Sequence, residues 1–193
     1  LLNKTELARD VGVSVKAIKD WLSVLQASNQ VVLLEPWFKN ISKRMIKSPK
    51  VYFCDSGLLC FLLGVNEHNF TNSPFKGQIW ETVVYSEMRK LNQTSPEPVN
   101  FWFYRDQTAR EIDFVIEKGG YLSFIECRWT ANPGKDDVKT IQSIDREIRE
   151  KETTYKPGQH FLLCTAEAAY TLHENISVTG LGQVEDILGT SMP

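Results

Sequence analysis

Residues 111–129, EIDFVIEKGGYLSFIECRW, limit the possible folds of this chain more than any other stretch. Two apolar-rich runs flank a Gly-Gly pair, which predicts a tight β-hairpin. A two-residue or four-residue loop pairs residues whose numbers add up to 239, which places Asp113 opposite Glu126 and Glu111 opposite Arg128. An odd-numbered loop would shift this register.

The predicted pair of acids, Asp113 and Glu126, suggests a metal site. Directly opposed carboxylates repel each other, and burial increases the cost. A divalent cation such as Mg²⁺, which one or two carboxylates commonly hold, would remove that repulsion. If the face is exposed to solvent, the two acids are ordinary surface residues. Leu122 and Phe124 alternate with Glu126 along its strand, which argues against full exposure.

The composition is typical of a soluble globular protein, with 42% hydrophobic and 24% charged residues. No apolar run approaches the roughly 20 residues that cross a bilayer, so no membrane partner is expected. The four cysteines have no metal-binding spacing and lie among apolar neighbours, which predicts buried thiols and favours the cytoplasm. The chain starts without methionine inside a helical pattern, so we expect a further domain upstream.

The first part of the chain, residues 1–65, reads as a helix-turn-helix. Residues 5–11 predict a short helix that Gly12 ends, and Ser14 is a natural N-cap for a second helix over 15–27. Helix, glycine turn and helix form this motif. Trp21 on the second helix is interpreted as a packing residue rather than a base-stacking one. Its apolar stripe comprises Val15, Ile18, Leu22 and Leu25.

Two strands, over 31–38 and 50–55, follow the helices and would complete a winged helix. Residues 39–50 between them contain five Lys or Arg and no acid. This basic wing, with the second helix, predicts phosphate contacts to DNA. Alternatively, the winged helix packs against a missing domain. A buried helix is expected over 57–65. The candidate nucleic-acid-binding residues are Lys16, Lys19, Lys43, Arg44 and Lys47.

The second part, residues 76–193, follows a polar linker at 66–75 and reads as a mixed α/β domain. Its predicted helices lie at 77–91, 136–151 and 183–188, and its predicted strands at 101–105, in the hairpin, and at 160–165 and 175–180.

Asp113, followed by Glu126-Cys127-Arg128 on the next strand, resembles the D…(E/D)xK signature of the PD-(D/E)XK nuclease superfamily. Glu81, on the helix before the strands, matches the acid that such folds often place there. The resemblance implies a restriction-endonuclease-like domain in which Glu81, Asp113 and Glu126 serve Mg²⁺-dependent cleavage. Arg128 stands where that superfamily has lysine. It would then clamp a phosphate, or be held in an ion pair with Glu111.

A second resemblance covers nearly the whole chain, and is to the C-terminal half of prokaryotic AAA+-type ATPases with the domain of unknown function number 4143. It rests on the order of three motifs, which are NISKRMIKSPKVYFCDSGL at 40–58, GQIWE at 77–81 and YR…EIDF within 104–114. It implies an upstream ATPase domain that binds ATP. No GxxxxGK[ST] stretch occurs in these residues, so this chain itself lacks that nucleotide site.

Together these features predict a nucleic-acid-binding part of a longer ATPase, with a nuclease-like site that is intact or degenerate. The rival hypothesis is a non-catalytic module for interaction or homo-oligomerisation that keeps the fold as a scaffold.

Overall fold

The computed structural model of the chain describes residues 1–37, 48–151 and 154–189 as a mixture of helices and strands. Its α-helices are Lys4–Val11 (α1), Val15–Ala27 (α2), Ser56–Leu62 (α3), Lys76–Thr94 (α4), Lys139–Lys151 (α5) and Val184–Gly189 (α6). Its strands are Val31–Leu34 (β1), Lys50–Phe53 (β2), Asn100–Arg105 (β3), Glu111–Lys118 (β4), Tyr121–Cys127 (β5), Lys156–Pro157 (β6), His160–Leu163 (β7), Tyr170–His173 (β8) and Ile176–Thr179 (β9). In this part of the chain, no helix is both long and apolar enough to cross a membrane.

The first two helices form as their end residues predict. The Asn3 side chain accepts a hydrogen bond from the Glu6 amide at 3.1 Å and caps α1. The Ser14 hydroxyl does the same for α2, through the Ala17 amide at 3.1 Å. Gly12 ends α1 with a φ of +77°, a conformation that glycine adopts without steric cost. The predicted order of helix, glycine turn and helix is confirmed.

The predicted burial of α3 is wrong, because this helix is covered on one side only, and the predicted burial of the cysteines is right for two of the four. α3 packs against α4 and β2, and its outer side chain Phe61 is 79% exposed. Trp21 on α2, which was predicted to pack rather than to stack on bases, is 50% exposed. Among the four free thiols, Cys127 and Cys164 are buried, whereas Cys54 and Cys60 are only half-buried.

Strands β1 and β2 form a two-stranded antiparallel sheet in which Leu34 pairs with Lys50. This small sheet is fastened to the second part of the chain. Leu34 and Tyr52 lie in one core with α4, and the Trp37 amide donates to the Phe103 carbonyl of β3 at 2.7 Å. The attachment carries the first residue of β2, Lys50, to the main sheet.

The main sheet has the strand order β3-β4-β5-β7-β9-β8, with β6 beside β5. Strands β3, β4 and β5 are antiparallel neighbours, whereas β5, β7 and β9 are parallel. Helices α4 and α6 cover one face and α5 covers the other, so the sheet lies between two apolar cores. The sequence did not predict β6 and β8, which are a two-residue strand and a largely exposed edge strand.

The β4–β5 hairpin has the predicted register, and β4 contains a bulge. Pairs from Lys118 with Tyr121 to Phe114 with Ile125 add up to 239, as predicted. On its other side β4 pairs with β3, where Trp102 faces Val115 and Tyr104 faces Ile112. Between these two pairs the chain advances three residues in β4 but only two in β3. The extra residue lies at 113–114, and such bulges redirect side chains.

Candidate functional site

The four predicted catalytic residues lie in one connected cluster at the ends of β4 and β5. Glu81 comes from α4, Asp113 from the bulge of β4, and Glu126 and Arg128 from the end of β5 and the residue after it. Lys50, from the first part of the chain, joins Glu81 to Asp113. Arg128 contacts both Asp113 and Glu126, and so completes the chain of contacts.

Three carboxylates surround the ammonium group of Lys50. Its Nζ lies 2.7 Å from Oε1 of Glu81, 2.5 Å from Oε1 of Glu111 and 3.3 Å from Oδ1 of Asp113. A lysine ammonium has three N–H donors, so each can be directed to one carboxylate. Lys50 is 9% exposed, and its charge is therefore neutralised inside the protein.

Aromatic side chains hold this lysine in place. The Tyr52 hydroxyl, two residues further along β2, donates to Oε1 of Glu81. The ring of Tyr52 packs against those of Tyr85 and Phe114, with centroids 4.7 and 5.8 Å away. The Lys50 ammonium also lies 5.5 Å from the centre of the Phe103 ring, within the range of a cation–π contact.

Burial and the neighbouring charges shift the pKa values of Lys50, Glu81 and Glu111. Burial disfavours the charged form of Lys50, but Asp113, Glu81 and Glu111 outweigh burial and raise its pKa. Burial, with the nearby charge of Asp113, raises the pKa of Glu81 to about 7, although Lys50 and Tyr52 oppose this. Burial would also raise the pKa of Glu111, but Lys50 and Arg105 lower it. Of Glu81 and Glu111, Glu81 is thus the one that keeps its proton more readily.

The predicted ion pair between Glu111 and Arg128 is wrong. Glu111 binds Lys50 through Oε1 and Arg105 through Oε2, the latter at 2.6 Å. Arg128 instead lies 3.0 Å from Oε2 of Glu126 and donates to the Cys127 carbonyl at 2.9 Å. The cause is the bulge in β4, because the register that predicted the pair ends at Phe114.

Asp113 and Glu126 are likewise not a simple facing pair. Oδ2 of Asp113 accepts a hydrogen bond from the Cys127 amide at 2.9 Å, where a strand pair would otherwise continue. Ile125 and Cys127 pack in the core on the α4 side, so Glu126 between them belongs to the α5 side. Glu126 is 2% exposed, and burial followed by the charge of Asp113 raises its pKa well above the ordinary value.

Mg²⁺, predicted at Asp113 and Glu126, does not fit the residues as they are arranged. Each of the two carboxylates already has its own cationic partner, Lys50 for one and Arg128 for the other. Oε1 of Glu126 is buried without a hydrogen-bond partner among the described residues. A metal ion needs several ligand atoms, and this oxygen supplies one. In residues 1–37, 48–151 and 154–189, no group of three or more His, Cys, Asp or Glu is arranged to hold a metal ion.

The predicted nucleic-acid-binding residues are only partly within the described ranges. Lys16 and Lys19 lie on α2, and both are exposed. Lys43, Arg44 and Lys47 lie outside the described residues, so their role stays a prediction.

Sequence reasoning missed the central residue of the site, Lys50, which it assigned only to the basic wing. Lys50 and Tyr52 are two residues apart in a short strand, so their side chains point to the same face. This spacing could have predicted that they share a site. That face meets the acidic end of β4 only through the packing of β1 and β2 on the main sheet. Glu111 was also missed as a partner of Lys50.

Comparison with known proteins gives two family matches and two relatives. Residues 76–184 match the model of a family described as a domain of unknown function (DUF4143), and residues 1–69 match that of another, DUF8612. Uncharacterized proteins of Mycobacterium bovis and Mycobacterium tuberculosis are each 32% identical over 161 residues, which is 83% of this chain and 35% of the relative. The chain thus spans about a third of the length of the curated relatives that it matches.

Proposed function

Because the chain belongs to the family described as a domain of unknown function, DUF4143, we propose that it is the nucleic-acid-binding part of a longer ATPase, with a nuclease-like fold that does not cut. The observation that carries the binding role is the helix pair α1–α2, which presents Lys16 and Lys19 to solvent beside a two-stranded sheet. In a winged helix the second helix enters the major groove, and its cations neutralise phosphates.

The nuclease-like fold is supported by the arrangement of Glu81, Asp113 and Glu126 at one end of two inner strands of a mixed sheet with helices on both faces. The absence of cleavage is supported by Lys50, whose ammonium joins the carboxylates that would otherwise be available to a metal. Arg128 supports it as well, because an arginine cannot give up a proton as a catalytic lysine can.

The ATPase part of the proposal rests on the motif resemblance and on chain length. The mycobacterial relatives are about three times as long as the region that they share with this chain, which leaves room for an ATPase domain. The substrate and the process that such an ATPase serves belong to the whole protein.

The binding role can be tested with the 193-residue chain and a fluorescent DNA duplex. Lys16→Ala/Lys19→Ala should weaken binding and reduce the slope of log K against log salt by about two, since each lysine contributes about one phosphate contact. The matched control is Lys90→Ala/Lys135→Ala, which removes two exposed lysines from the second part. Equal binding by both double variants would contradict the proposed use of α2. Lys43→Ala/Arg44→Ala tests the wing in the same way.

The proposed absence of cleavage requires a separate assay. Duplex and single-stranded DNA are incubated with the wild-type chain in an excess of Mg²⁺ or Mn²⁺. We expect the same background as with Asp113→Asn. Cleavage by the wild type that disappears in Asp113→Asn would show that the site is active.

A specific observation also favours the second candidate, a module for interaction or homo-oligomerisation. Large apolar side chains on α2 and α3 are exposed, among them Trp21 at 50%, Val24 at 65% and Phe61 at 79%. Exposed apolar patches often mark protein contacts. Light scattering over a concentration series should show a dimer that Phe61→Ser dissociates. A monomer at all concentrations would remove the homo-oligomer.

A further inference from the structure

The carboxylates around Lys50 surround a cation that a side chain supplies. Three carboxylate oxygens, from Glu81, Glu111 and Asp113, converge on one nitrogen at 2.5 to 3.3 Å. They come from one helix and one strand, while the ammonium comes from a different sheet. The chain therefore brings the anions and their cation together only when its two parts pack against each other.

The remaining oxygens of Glu111 and Asp113 are also engaged. Oε2 of Glu111 binds Arg105 at 2.6 Å, and Oδ2 of Asp113 accepts the Cys127 amide at 2.9 Å. Oε1 of Glu81 accepts both Lys50 and Tyr52. A divalent metal that entered beside the lysine would have to break several of these contacts and would meet the positive charge of Lys50.

The strand that carries Lys50 is held in place, and the ammonium is held by its charge. Lys50 is paired with Leu34 through the β1–β2 ladder, and Tyr52 in the same strand is packed between α4 and β4. Withdrawing the ammonium would expose three carboxylates to one another in a largely buried place, which is unfavourable.

The site nevertheless has an opening to solvent. A surface pocket of about 300 Å³ is lined by Lys50, Glu81 and Glu111, together with Gln78 and Thr82. An ion can therefore reach the carboxylates from this side once the ammonium is absent. The lysine itself, and not the burial of the site, is the barrier to a metal ion.

We propose that Lys50 is the resident cation of this carboxylate cluster and excludes divalent metal from the place where a nuclease-like fold would hold one. The inference is independent of nucleic-acid binding, because it depends only on the contacts of Lys50. It deepens the proposed loss of cleavage, on which it rests, by stating how Lys50 acts: its ammonium, which the first part of the chain delivers to the second, occupies the place of the metal.

The test measures Mn²⁺ binding to the 193-residue chain by titration calorimetry and by the electron paramagnetic resonance signal of free Mn²⁺. Lys50→Ala removes the ammonium and leaves space. It should bind one Mn²⁺ at least tenfold more tightly than the wild type, and Lys50→Ala/Asp113→Asn should lose that gain. Lys90→Ala, which removes an exposed lysine, is the matched control and should behave as the wild type does. Asp113-dependent binding by the wild type equal to that of Lys50→Ala would overturn the proposal, as would a folded Lys50→Ala that binds no Mn²⁺.

A second measurement needs no variant and decides the matter if Lys50→Ala does not fold. The wild-type chain is treated with an amine-acetylating reagent, and modification of each lysine is followed by mass spectrometry. Lys50 should react at least tenfold more slowly than exposed Lys16 and Lys19, equally with and without Mn²⁺. Rapid acetylation of Lys50, or acetylation that Mn²⁺ accelerates, would show that the ammonium leaves the site and would overturn the proposal.

Discussion

The ammonium nitrogen of Lys50 lies 3.3 Å from Oδ1 of Asp113, although 63 residues separate the two along the chain. Asp113 also accepts a hydrogen bond from the Cys127 amide, and so joins the first part of the chain, β4 and β5 at one carboxylate. A residue that sequence motifs assign to metal binding thus serves here as the junction of two parts of the fold.

Replacing Lys50 by methionine should lower the free energy of unfolding by about 3 kcal/mol at pH 8, because loss of one partner leaves buried charges uncompensated. Urea denaturation measures the change. Lys90→Met is the control, since its surface pair with Glu87 is largely exposed and should matter by less than about 0.5 kcal/mol. The cost of Lys50→Met should shrink at pH 5, where the carboxylates gain protons more easily. A cost no greater than that of Lys90→Met would contradict the structural role.

Glu81 should make stability fall as the pH rises through neutrality. Its pKa is about 7 in the folded chain and near 4.5 when unfolded, since burial, followed by the charge of Asp113, disfavours the ionised form. The folded state thus binds the proton more tightly. The resulting stabilisation is complete below about pH 4.5 and is lost as the pH rises through about 7. Urea denaturation of the wild type and of Glu81→Gln between pH 5 and 8 should show the wild type losing stability relative to the variant. Parallel curves would argue against the raised pKa.

Local patterns predicted the elements of this fold well. The caps Asn3 and Ser14, the glycine turn and the Gly-Gly hairpin depend on residues close together in sequence, and the first pairs of the hairpin have the predicted register. Element bounds moved by a few residues, as where the predicted strand 50–55 ends at Phe53. Edge strand β8 was not predicted, because its residues are largely exposed and so lack an apolar pattern.

The site could be predicted only in part, because it depends on contacts distant in sequence. Glu81, Asp113, Glu126 and Arg128 do come together, but the partner of each acid differs from the prediction. The bulge at 113–114 contains no glycine or proline, so the sequence does not predict it. It ends the register that paired Glu111 with Arg128. Lys50 reaches the acids only through the docking of β1 and β2 on the main sheet, which no local pattern encodes.

The turn after β3 should depend on Asp106. Its Oδ1 accepts hydrogen bonds from the Thr108 amide, the Thr108 hydroxyl and the Arg110 amide, and Oδ2 binds the Arg110 guanidinium. Burial would raise the pKa of Asp106, but these donors lower it. Asp106→Ala should therefore cost about 2 kcal/mol of unfolding free energy, since it leaves several donors unpaired. Thermal and urea denaturation against Asp136→Ala, which removes an exposed acid, measure the effect. Equal stability of the two variants would show that the turn holds without this side chain.

The pairing of Arg128 with Glu126 should appear as a coupling in a double-mutant cycle. Arg128→Met alone leaves the buried Glu126 without its cation and should cost about 2 kcal/mol. In a Glu126→Gln background no charge needs that cation, so the same replacement should cost less by about 1 kcal/mol or more. Arg149→Met, which breaks a pair with Asp145, is the control and should cost the same in both backgrounds. If Arg128→Met also costs the same in both, the arginine does not neutralise Glu126, and its charge remains available to a bound phosphate.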